Sequence, residues 1–273
     1  MTAQTAQTSG LDPGLAGQSA VVTGAGRGIG LAITQAFLAA GSRVVAGSRE
    51  RTAQLEALVK RGAPLTIVEI DLATPEGPAA LVAEAIARHG GLDVLVNNVG
   101  AVRPRVDGFL ATTDEDWEWA LTLNLMTAVR ATRAALPHLL ATGDGRIVTV
   151  SSVNARLPDP LVIDYSAAKS ALTNFCKALS KQVGPQGVRV NSVSPGPVET
   201  ALWQGADGVA ATVGRSLGVD PHEVARGAAA QAATGRFTRP SEVADLVLFL
   251  ASRRSGNVTG ADFLIDGGMT DVL

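Results

Sequence analysis

Short runs of β-branched residues alternate along the chain with longer stretches in which apolar residues recur at helical spacing. Strands that alternate with helices favour right-handed crossover connections, and these build a parallel sheet that helices cover on both faces. The pattern therefore predicts an α/β fold with a single doubly wound parallel sheet of about seven strands. The predicted strands are Ala20–Thr23, Arg43–Ala46, Leu65–Ile70, Val94–Val96, Arg146–Val150, Val188–Val193 and Phe263–Ile265.

Two helix starts carry recognisable local signals. Thr74–Pro75 combines an N-cap residue with a proline, which predicts the beginning of a helix ahead of Ala79–Arg88. Thr113 with Asp116 three residues later predicts a capping box before the helical stretch Trp117–Leu136.

The chain divides into a leader and one domain. Residues 1–16 are rich in Thr, Gln, Gly and Ala and are predicted to be a flexible N-terminal leader, and residues 17–273 to be a single catalytic domain. Residues 197–235 interrupt the strand and helix rhythm after the sixth strand. Because ligands bind beyond the carboxyl ends of the strands in such sheets, this insertion is predicted to be a substrate lid.

Composition narrows the function classes. The chain has 273 residues, 46% of them hydrophobic, and a formal net charge of −2. Its balanced charge argues against a nucleic-acid or acidic-membrane partner. Cys176 is the only cysteine, and the three histidines are isolated, so neither an intrachain disulfide nor a metal site is expected. A basic signal peptide and a long apolar span are both missing, so we expect a cytoplasmic protein with a small-molecule substrate.

A glycine-rich segment connects the first predicted strand to the helical stretch Leu31–Ala40. Its spacing is T-G-x-x-x-G-x-G over Thr23–Gly30. In a Rossmann-type fold such glycines let the backbone approach a pyrophosphate, which the free N–H groups of the next helix then bind. The residues of this glycine turn that we predict to bind a dinucleotide are Gly24, Arg27, Gly28, Ile29 and Gly30.

The end of the second strand predicts which nicotinamide cofactor is used. An acidic residue there would bind the ribose 2′-hydroxyl of NAD, but the chain has Ser48 and Arg49. Arg49 can hold a 2′-phosphate through charge-assisted hydrogen bonds, and Arg27 lies within reach of the same group. NADP(H) is therefore the predicted cofactor, with NAD(H) as the alternative.

The candidate acid/base is Tyr165, the only tyrosine, with Lys169 four residues later on the same helix face. A phenol has a pKa near 10, so activity near neutral pH requires stabilisation of the phenolate by Lys169 and by a positive nicotinamide ring. Ser152 ends a strand thirteen residues upstream, where its hydroxyl can hold a substrate oxygen. Asn124 interrupts an apolar helical run, which points equally to a site role or to a satisfied buried amide.

With these residues in view, the chain resembles the short-chain dehydrogenase/reductase family over about Gly17–Gly268. It departs from the family's Asn-Asn-Ala-Gly segment in having valine as the third residue. Six landmarks occur in the family's order, namely Thr23–Gly30, Asp71, Asn97–Gly100, Asn124, Ser152 with Tyr165 and Lys169, and Pro195–Gly196 with Thr200.

The resemblance implies roles in cofactor binding. Asp71, with Leu72 beside it, would accept from the adenine amino group, and Asn98 and Gly100 would pass along the adenosine ribose and fix the central sheet. Lys169 would hold the nicotinamide ribose. Val198 and Thr200 would hold the carboxamide, and Pro195 and Gly196, which precede them, would also bind the cofactor.

The resemblance also implies the catalytic roles. Tyr165 would be the acid/base, Lys169 would lower its pKa, and Ser152 would stabilise the reacting oxygen. Asn124 would position a water that links Lys169 to solvent. The implied assembly is a homotetramer or homodimer in which the helices Trp117–Leu136 and Tyr165–Val183 pack across a two-fold axis; apolar residues of the second helix fit a core stripe equally well.

The leading hypothesis is an NADP(H)-dependent oxidoreductase acting on a carbonyl or secondary alcohol. The substrate pocket is predicted to be apolar, with contacts from Leu157, Leu202 and Trp203 besides Ser152 and Tyr165. Three alternatives stay open: an NAD-linked alcohol dehydrogenase, a non-catalytic dinucleotide sensor, and an acyl-carrier-protein ketoreductase. The ketoreductase would use exposed basic residues at the pocket mouth, for which Arg103, Arg105 and Arg156 are the candidates.

Overall fold

The structure, a computed structural model, describes residues 13–271 of the chain. Within them, seven strands form one parallel sheet in the order β3-β2-β1-β4-β5-β6-β7. The strands are β1 (Ser19–Thr23), β2 (Arg43–Ser48), β3 (Leu65–Glu69), β4 (Val94–Asn97), β5 (Gly145–Val150), β6 (Val188–Pro195) and β7 (Asp262–Ile265).

The predicted α/β fold is therefore confirmed, and each predicted strand end lies within two residues of the observed one. Their apolar runs are continuous because both sheet faces are covered. The strands β1, β4 and β5 are buried along their whole length.

Helices pack on both faces of this sheet in the part of the chain that the structure describes. They are α1 (Gly28–Ala39), α2 (Ala53–Lys60), α3 (Gly77–His89), α4 (Asp114–Leu121), α5 (Thr127–Thr142), α6 (Ile163–Val183), α7 (Ala201–Gln204), α8 (Val209–Leu217), α9 (Pro221–Ala230) and α10 (Pro240–Ala251). One core cluster lies between one face of the sheet and the helices α1 and α10, and the other lies between the opposite face and the helices α3, α5 and α6.

The start of α3 differs from the prediction. The helix begins at Gly77 with Pro78 in its first turn, so Pro75 is outside the helix. Thr74 caps the preceding turn, since its Oγ1 accepts from the Gly77 N–H at 3.1 Å and donates to the Asp71 carbonyl at 2.9 Å. The local cap signal thus predicted the start of the helix to within a few residues, but the proline of the first turn is Pro78 and not Pro75.

The capping box at the start of α4 is confirmed, because Thr113 and Asp116 exchange side-chain and backbone hydrogen bonds. The predicted helix continues from there, but it contains a π-helical turn, Thr122–Met126, between α4 and α5. Single π turns inside α-helices occur frequently at functional sites. Asn124 lies in the middle of this one.

Part of the segment predicted as a leader, residues 1–16, packs against the domain. Residues 1–12 lie outside the described part of the chain, but residues 13–16 pack against the domain. Leu15 is fully buried, its carbonyl accepts from the Ser42 hydroxyl at 3.0 Å, and the Pro13 carbonyl accepts from the Arg253 N–H at 3.2 Å. Apolar burial of Leu15 therefore assigns this segment to the domain.

The predicted lid, residues 197–235, contains the three helices α7, α8 and α9 beyond the carboxyl end of β6. In α7, the Trp203 ring packs edge to face on Phe237, with 5.3 Å between the ring centroids. This contact fixes one end of the segment on the domain, and its role as a lid stays a prediction.

Two features are absent from residues 13–271 of the chain. None of their helices has the length and apolarity needed to cross a membrane. Nor do His, Cys, Asp or Glu side chains of residues 13–271 form a group of three or more that could hold a metal ion.

Candidate active site

A crevice opens where the strand order reverses, between β1 and β4, because the loops that follow these strands run in opposite directions. Side chains at the two strand ends fix its floor. The Thr23 hydroxyl donates to the Val96 carbonyl at 3.2 Å and accepts from the Asn98 N–H at 2.9 Å. The Asn98 amide donates to the carbonyls of Thr23 and Gly24 at 3.0 and 3.1 Å. Asn98 thus joins the sheet to the glycine turn, in agreement with the expectation from the family resemblance that it fixes the central sheet.

The glycine turn has a geometry that only glycine satisfies at several positions. Gly24 and Gly28 have positive φ angles of +66° and +55°, a region that L side chains rarely adopt. A Cβ on Gly30 would lie 2.1 Å from the Gly24 carbonyl oxygen and 2.5 Å from the Asn98 Nδ2. The missing side chains leave a backbone cradle at the mouth of the crevice.

This cradle fits the diphosphate of a dinucleotide. α1 begins inside the turn at Gly28, with Arg27 as an extended N-cap residue, no side-chain cap and no acidic residue in the first turn. Its first N–H groups and positive dipole end are therefore free for an anion. Ile29 packs partly on the core. Thr200, from the segment after β6, closes the opposite side, with its Cγ2 at 3.2 Å from the Cβ position of Gly28.

The end of β2 is equally suited to a ribose phosphate. Ser48 is buried there, and its Oγ would lie 2.3 Å from a Cβ on Gly26, so the strand end touches the glycine turn. Arg27 and Arg49 are exposed. No carboxylate of the described residues forms an ion pair with either guanidinium. Both are free to bind a phosphate dianion.

Asp71 follows β3 at the same edge of the sheet. Its side chain is exposed, and Oδ1 accepts from the Ala73 N–H at 2.9 Å, which fixes the carboxylate orientation. Leu72 is 5% exposed and belongs to the core, so its contribution to a ligand would come from the backbone. The adenine role of this pair stays a prediction.

The segment after β6 forms the other wall of the crevice. Pro195 pairs with Ile265 of β7, and the Gly196 N–H donates to the Ile265 carbonyl at 3.1 Å. Val198 is 5% exposed, and its carbonyl accepts from the Thr200 hydroxyl at 3.3 Å. These contacts order the residues predicted to hold the carboxamide, and that role stays a prediction.

The predicted acid/base pair lies on one face of α6. The Lys169 Nζ is 5.7 Å from the centre of the Tyr165 ring and donates to the Val150 carbonyl at 2.9 Å. Lys169 is only 2% exposed. A Cβ on Gly100 would lie 3.2 Å from the Nζ, so the ammonium occupies space that glycine leaves open. The structure thus brings Tyr165, Lys169 and Gly100 together.

Burial dominates the protonation of both groups in the protein without cofactor. Burial raises the pKa of the Tyr165 phenol, and hydrogen bonding with Ser152 offsets this only in part. Burial also lowers the pKa of Lys169 from 10.5 to about 8. Desolvation disfavours the charged form of each group. The activation of Tyr165 by Lys169 together with a positive nicotinamide ring therefore stays a prediction.

Ser152 is the second residue after β5 and is 7% exposed. Its hydroxyl donates to the Asn154 Oδ1 and accepts from the Asn154 N–H, both at 3.2 Å. Asn154 also donates to the Leu157 carbonyl at 3.1 Å. The sequence reading missed Asn154, although an Asn two residues after a serine at a strand end is a signal for a local side-chain turn.

The Asn124 side chain hydrogen bonds to the backbone of the loop after β4. Its Oδ1 accepts from the Ala101 N–H at 3.0 Å, and its Nδ2 donates to the carbonyls of Ala101 and Ala120 at 2.9 and 3.0 Å. The same Oδ1 would be 3.2 Å from a Cβ on Gly100, beside Lys169. The side chain therefore fixes the wall of the Lys169 pocket, and the water-positioning role stays a prediction.

The predicted substrate contacts lie on two segments that follow adjacent strands. Leu157, after β5, and Leu202, after β6, are 44% and 42% exposed. Trp203 is partly buried against Phe237, as described above. Exposed leucines on both segments are consistent with an apolar cleft entrance, and their contact with substrate stays a prediction.

The three arginines considered as a carrier-docking surface are not equivalent. Arg105 is only 10% exposed and forms ion pairs with Asp116 and Asp164, so its prediction as an exposed group is wrong. Arg103 lies over the Trp119 ring at 4.0 Å, and Arg156 pairs with Asp262 at 3.1 Å. Short-range charge patterns cannot reveal such partners, because they come from distant parts of the chain.

Comparison with known proteins agrees with this geometry. Residues 24–270 match the family described as "Enoyl-(Acyl carrier protein) reductase". The chain is 36% identical over 252 residues to the short-chain reductase protein NovJ of Streptomyces niveus, covering 91% of this chain and 92% of that one. It is 31% identical to the 3-oxoacyl-[acyl-carrier-protein] reductase FabG of Thermotoga maritima, covering 93% and 98%.

A solved structure shows the same likeness in three dimensions. The L-sorbose reductase of Gluconobacter frateurii, complexed with NADPH and L-sorbose, superposes with a TM-score of 0.88 at 33% identity. The match covers 96% of this chain and 100% of that one.

Proposed function

The chain belongs to the short-chain dehydrogenase/reductase family, and from this premise we propose that it reduces a ketone with NADPH, using Tyr165 as the proton donor. It is an oxidoreductase that acts on CH–OH and C=O groups of a small molecule. The observation that carries the assignment is the buried Lys169 beside the only tyrosine, in the same crevice as a glycine cradle for a diphosphate. A dinucleotide sensor has no need of this pair, so catalysis is favoured.

NADP(H) is the preferred cofactor. Arg27 in the glycine turn and Arg49 just after β2 have no carboxylate partner among the described residues, and the L-sorbose reductase of G. frateurii carries NADPH in its crystal structure. When bound, the cofactor supplies the hydride. The chain's own residues hold it at the glycine turn, at the end of β2 and along the segment after β6.

The proton chemistry belongs to three residues of the chain. The Ser152 hydroxyl donates to Asn154 in the protein without substrate, and it turns to donate to the carbonyl oxygen when the ketone binds. Tyr165 donates its Oη proton to the same oxygen during reduction and accepts it during alcohol oxidation. Lys169 stabilises the phenolate that remains.

Replacement of Arg49 by aspartate tests the cofactor assignment. We expect Arg49→Asp to lower kcat/KM for NADPH about 100-fold, because the change removes charge-assisted hydrogen bonds and adds a repelling carboxylate near the 2′-phosphate. NADH, which has no 2′-phosphate, should lose much less. Steady-state kinetics with both cofactors measures the ratio.

Arg61→Asp is the matched control, since it makes the same charge change at the exposed end of α2. Its NADPH/NADH ratio should equal that of the wild type. A wild-type enzyme with higher kcat/KM for NADH than for NADPH would contradict the assignment.

The substrate is a ketone that enters between the segments after β5 and β6. A panel that includes apolar ketones and L-sorbose, followed by the loss of NADPH absorbance, tests the proposed reduction directly. We expect higher kcat/KM for the apolar ketones, because exposed Leu157 and Leu202 border the entrance. No NADPH oxidation with any ketone would contradict the proposed activity.

A carrier-linked ketoreductase is the second candidate. The matched family description and the FabG relative favour it. Its docking surface cannot include Arg105, which is buried, so Arg103 and Arg156 would have to carry it. Activity on a carrier-bound 3-oxoacyl group well above that on the free thioester would select this candidate.

We also propose that residues 197–235 act as the substrate lid and that the enzyme is a cytoplasmic homotetramer or homodimer. Use of NADPH favours the cytoplasm.

Leu172 and Leu179 are 1% and 9% exposed, so they belong to the core of the protomer and cannot form the subunit interface. Leu110, which precedes α4, and Leu121, the last residue of α4, are exposed and are better placed. Sedimentation of the purified chain tests the assembly.

A further inference from the structure

Arg105 is a buried arginine in the loop between β4 and α4, next to the crevice but outside the residues assigned so far. Its side chain is 10% exposed and all three of its guanidinium nitrogens donate hydrogen bonds. Buried guanidinium groups are expensive unless they are fully paired. We therefore expect the buried position of the Arg105 guanidinium to serve a specific function.

The first partner is Asp164, the residue directly before Tyr165. Its side chain is 2% exposed. Oδ2 accepts from the Arg105 Nε and Nη2 at 3.0 and 2.5 Å, and Oδ1 accepts from the Tyr165 N–H at 2.9 Å. One carboxylate thus connects the guanidinium to the backbone of the catalytic tyrosine.

The remaining contacts of Arg105 reach two other segments around the crevice. Nη1 donates to the Asp116 Oδ1 at 2.8 Å, in the first turn of α4. The Arg105 backbone N–H donates to the Leu161 carbonyl at 2.6 Å, in the turn just before α6. Arg105 therefore connects the first turn of α6 to the first turn of α4 and to the turn that precedes α6.

We propose that Arg105 is a positioning residue for Tyr165, which it holds in register with Ser152 and the bound cofactor through Asp164. The inference rests on the proposed role of Tyr165 as proton donor. Tyr165 lies in the first turn of α6, where helices fray most readily. The ion pair between Arg105 and Asp164 prevents this fraying, because the Asp164 carboxylate that it fixes also accepts from the Tyr165 N–H.

The charge state of the pair supports this role. Burial lowers the pKa of Arg105, but hydrogen bonds and charge attraction from Asp164 and Asp116 outweigh it, so the net pKa is raised. The guanidinium is therefore charged at any working pH. Its charge also balances that of Asp164, which would otherwise lie unpaired directly before the tyrosine.

Arg105→Met and Asp116→Asn together test the proposal. Arg105→Met removes the link to Asp164, and a misplacement of about 1 Å at a reacting group costs about 100-fold in rate. We expect kcat for the preferred ketone to fall about 100-fold, with the Kd for NADPH unchanged within threefold. Asp116→Asn weakens the other ion pair of the same arginine, and its kcat should stay within threefold of the wild type.

Arg105→Met leaves Asp164 without its cation, so the variant can fail to fold. The double variant Arg105→Met/Asp164→Asn avoids this, because it removes both charges and keeps an acceptor for the Tyr165 N–H. Replacing both members of a buried pair is often neutral for stability. Its melting temperature should match the wild type within a few degrees, while kcat remains reduced at least tenfold.

Tyr165→Phe separates failure of this proposal from failure of the proposed function. If Tyr165→Phe loses about 1,000-fold in kcat and Arg105→Met also loses kcat without loss of NADPH affinity, the positioning role holds. In the Tyr165→Phe background, Arg105→Met should cause no further loss, because Arg105 acts through the tyrosine. Wild-type kcat in Arg105→Met/Asp164→Asn would overturn the positioning role, even where Tyr165 proves essential. Equal losses of kcat in Arg105→Met and Asp116→Asn would overturn it as well.

Discussion

Tyr165→Phe should retain NADPH binding and lose about 1,000-fold or more in kcat for ketone reduction. General acid catalysis by a positioned side chain contributes about 100- to 10,000-fold. Tyr165 is the only tyrosine, so removal of its hydroxyl takes away the one phenolic proton that the chain has. The phenyl ring preserves packing in the first turn of α6.

Two measurements confine the loss to the chemical step. The Kd for NADPH, followed by cofactor fluorescence, should match the wild type within threefold, and the melting temperature should stay within a few degrees. Turnover within tenfold of the wild type, with cofactor binding intact, would mean that another group donates the proton.

Lys169→Met should have opposite effects on activity and stability. We expect kcat to fall about 100-fold, because the phenolate of Tyr165 loses its nearest cation. The cofactor-free variant should nevertheless be more stable at pH 7, by about 2 kcal/mol. Burial lowers the pKa of Lys169 to about 8, so the wild type bears a desolvation cost of about 3 kcal/mol at neutral pH. Loss of the hydrogen bond to Val150 offsets about 1 kcal/mol of the gain.

The stability gain depends on pH in a defined direction. Between pH 8 and pH 10.5 the unfolded chain carries the Lys169 proton and the folded chain does not. Wild-type stability from this group therefore rises with pH in that window, and the advantage of Lys169→Met disappears there. Melting temperatures of both proteins from pH 7 to pH 10.5 measure the difference.

Lys181→Met is the matched control, because Lys181 is exposed and lies near the end of the same helix. It should change the melting temperature little at any of these pH values. A lower melting temperature for Lys169→Met than for the wild type at pH 7 would show that burial of Lys169 carries no desolvation cost.

Local patterns in the sequence predicted much of the fold and of the site. Strands buried on both faces leave long apolar runs, so all seven were recognisable. The glycine turn follows directly from backbone demands, as the 2.1 Å approach of Gly24 to the Cβ position of Gly30 shows. Tyr165 and Lys169 are four residues apart on one helix, so their proximity is a local property as well.

Contacts between distant segments were beyond the reach of the sequence. Arg105 reads as a solvated loop charge until folding brings it to Asp164, 59 residues later. Leu15 looks like part of a polar leader, yet it fills a gap in the core. The protonation of Tyr165 was also unpredictable, because desolvation depends on everything packed around the phenol.

We propose that Lys169 and the positive nicotinamide ring, which is present once hydride has left the cofactor, together stabilise the phenolate of Tyr165. Because the chain has a single tyrosine, the ultraviolet absorbance of phenolate reports on Tyr165 alone. Titration without cofactor should give a pKa above 10, since burial raises it. Titration of the binary complex with NADP⁺ should give a pKa well below 10, and a value unchanged by NADP⁺ would contradict the claim.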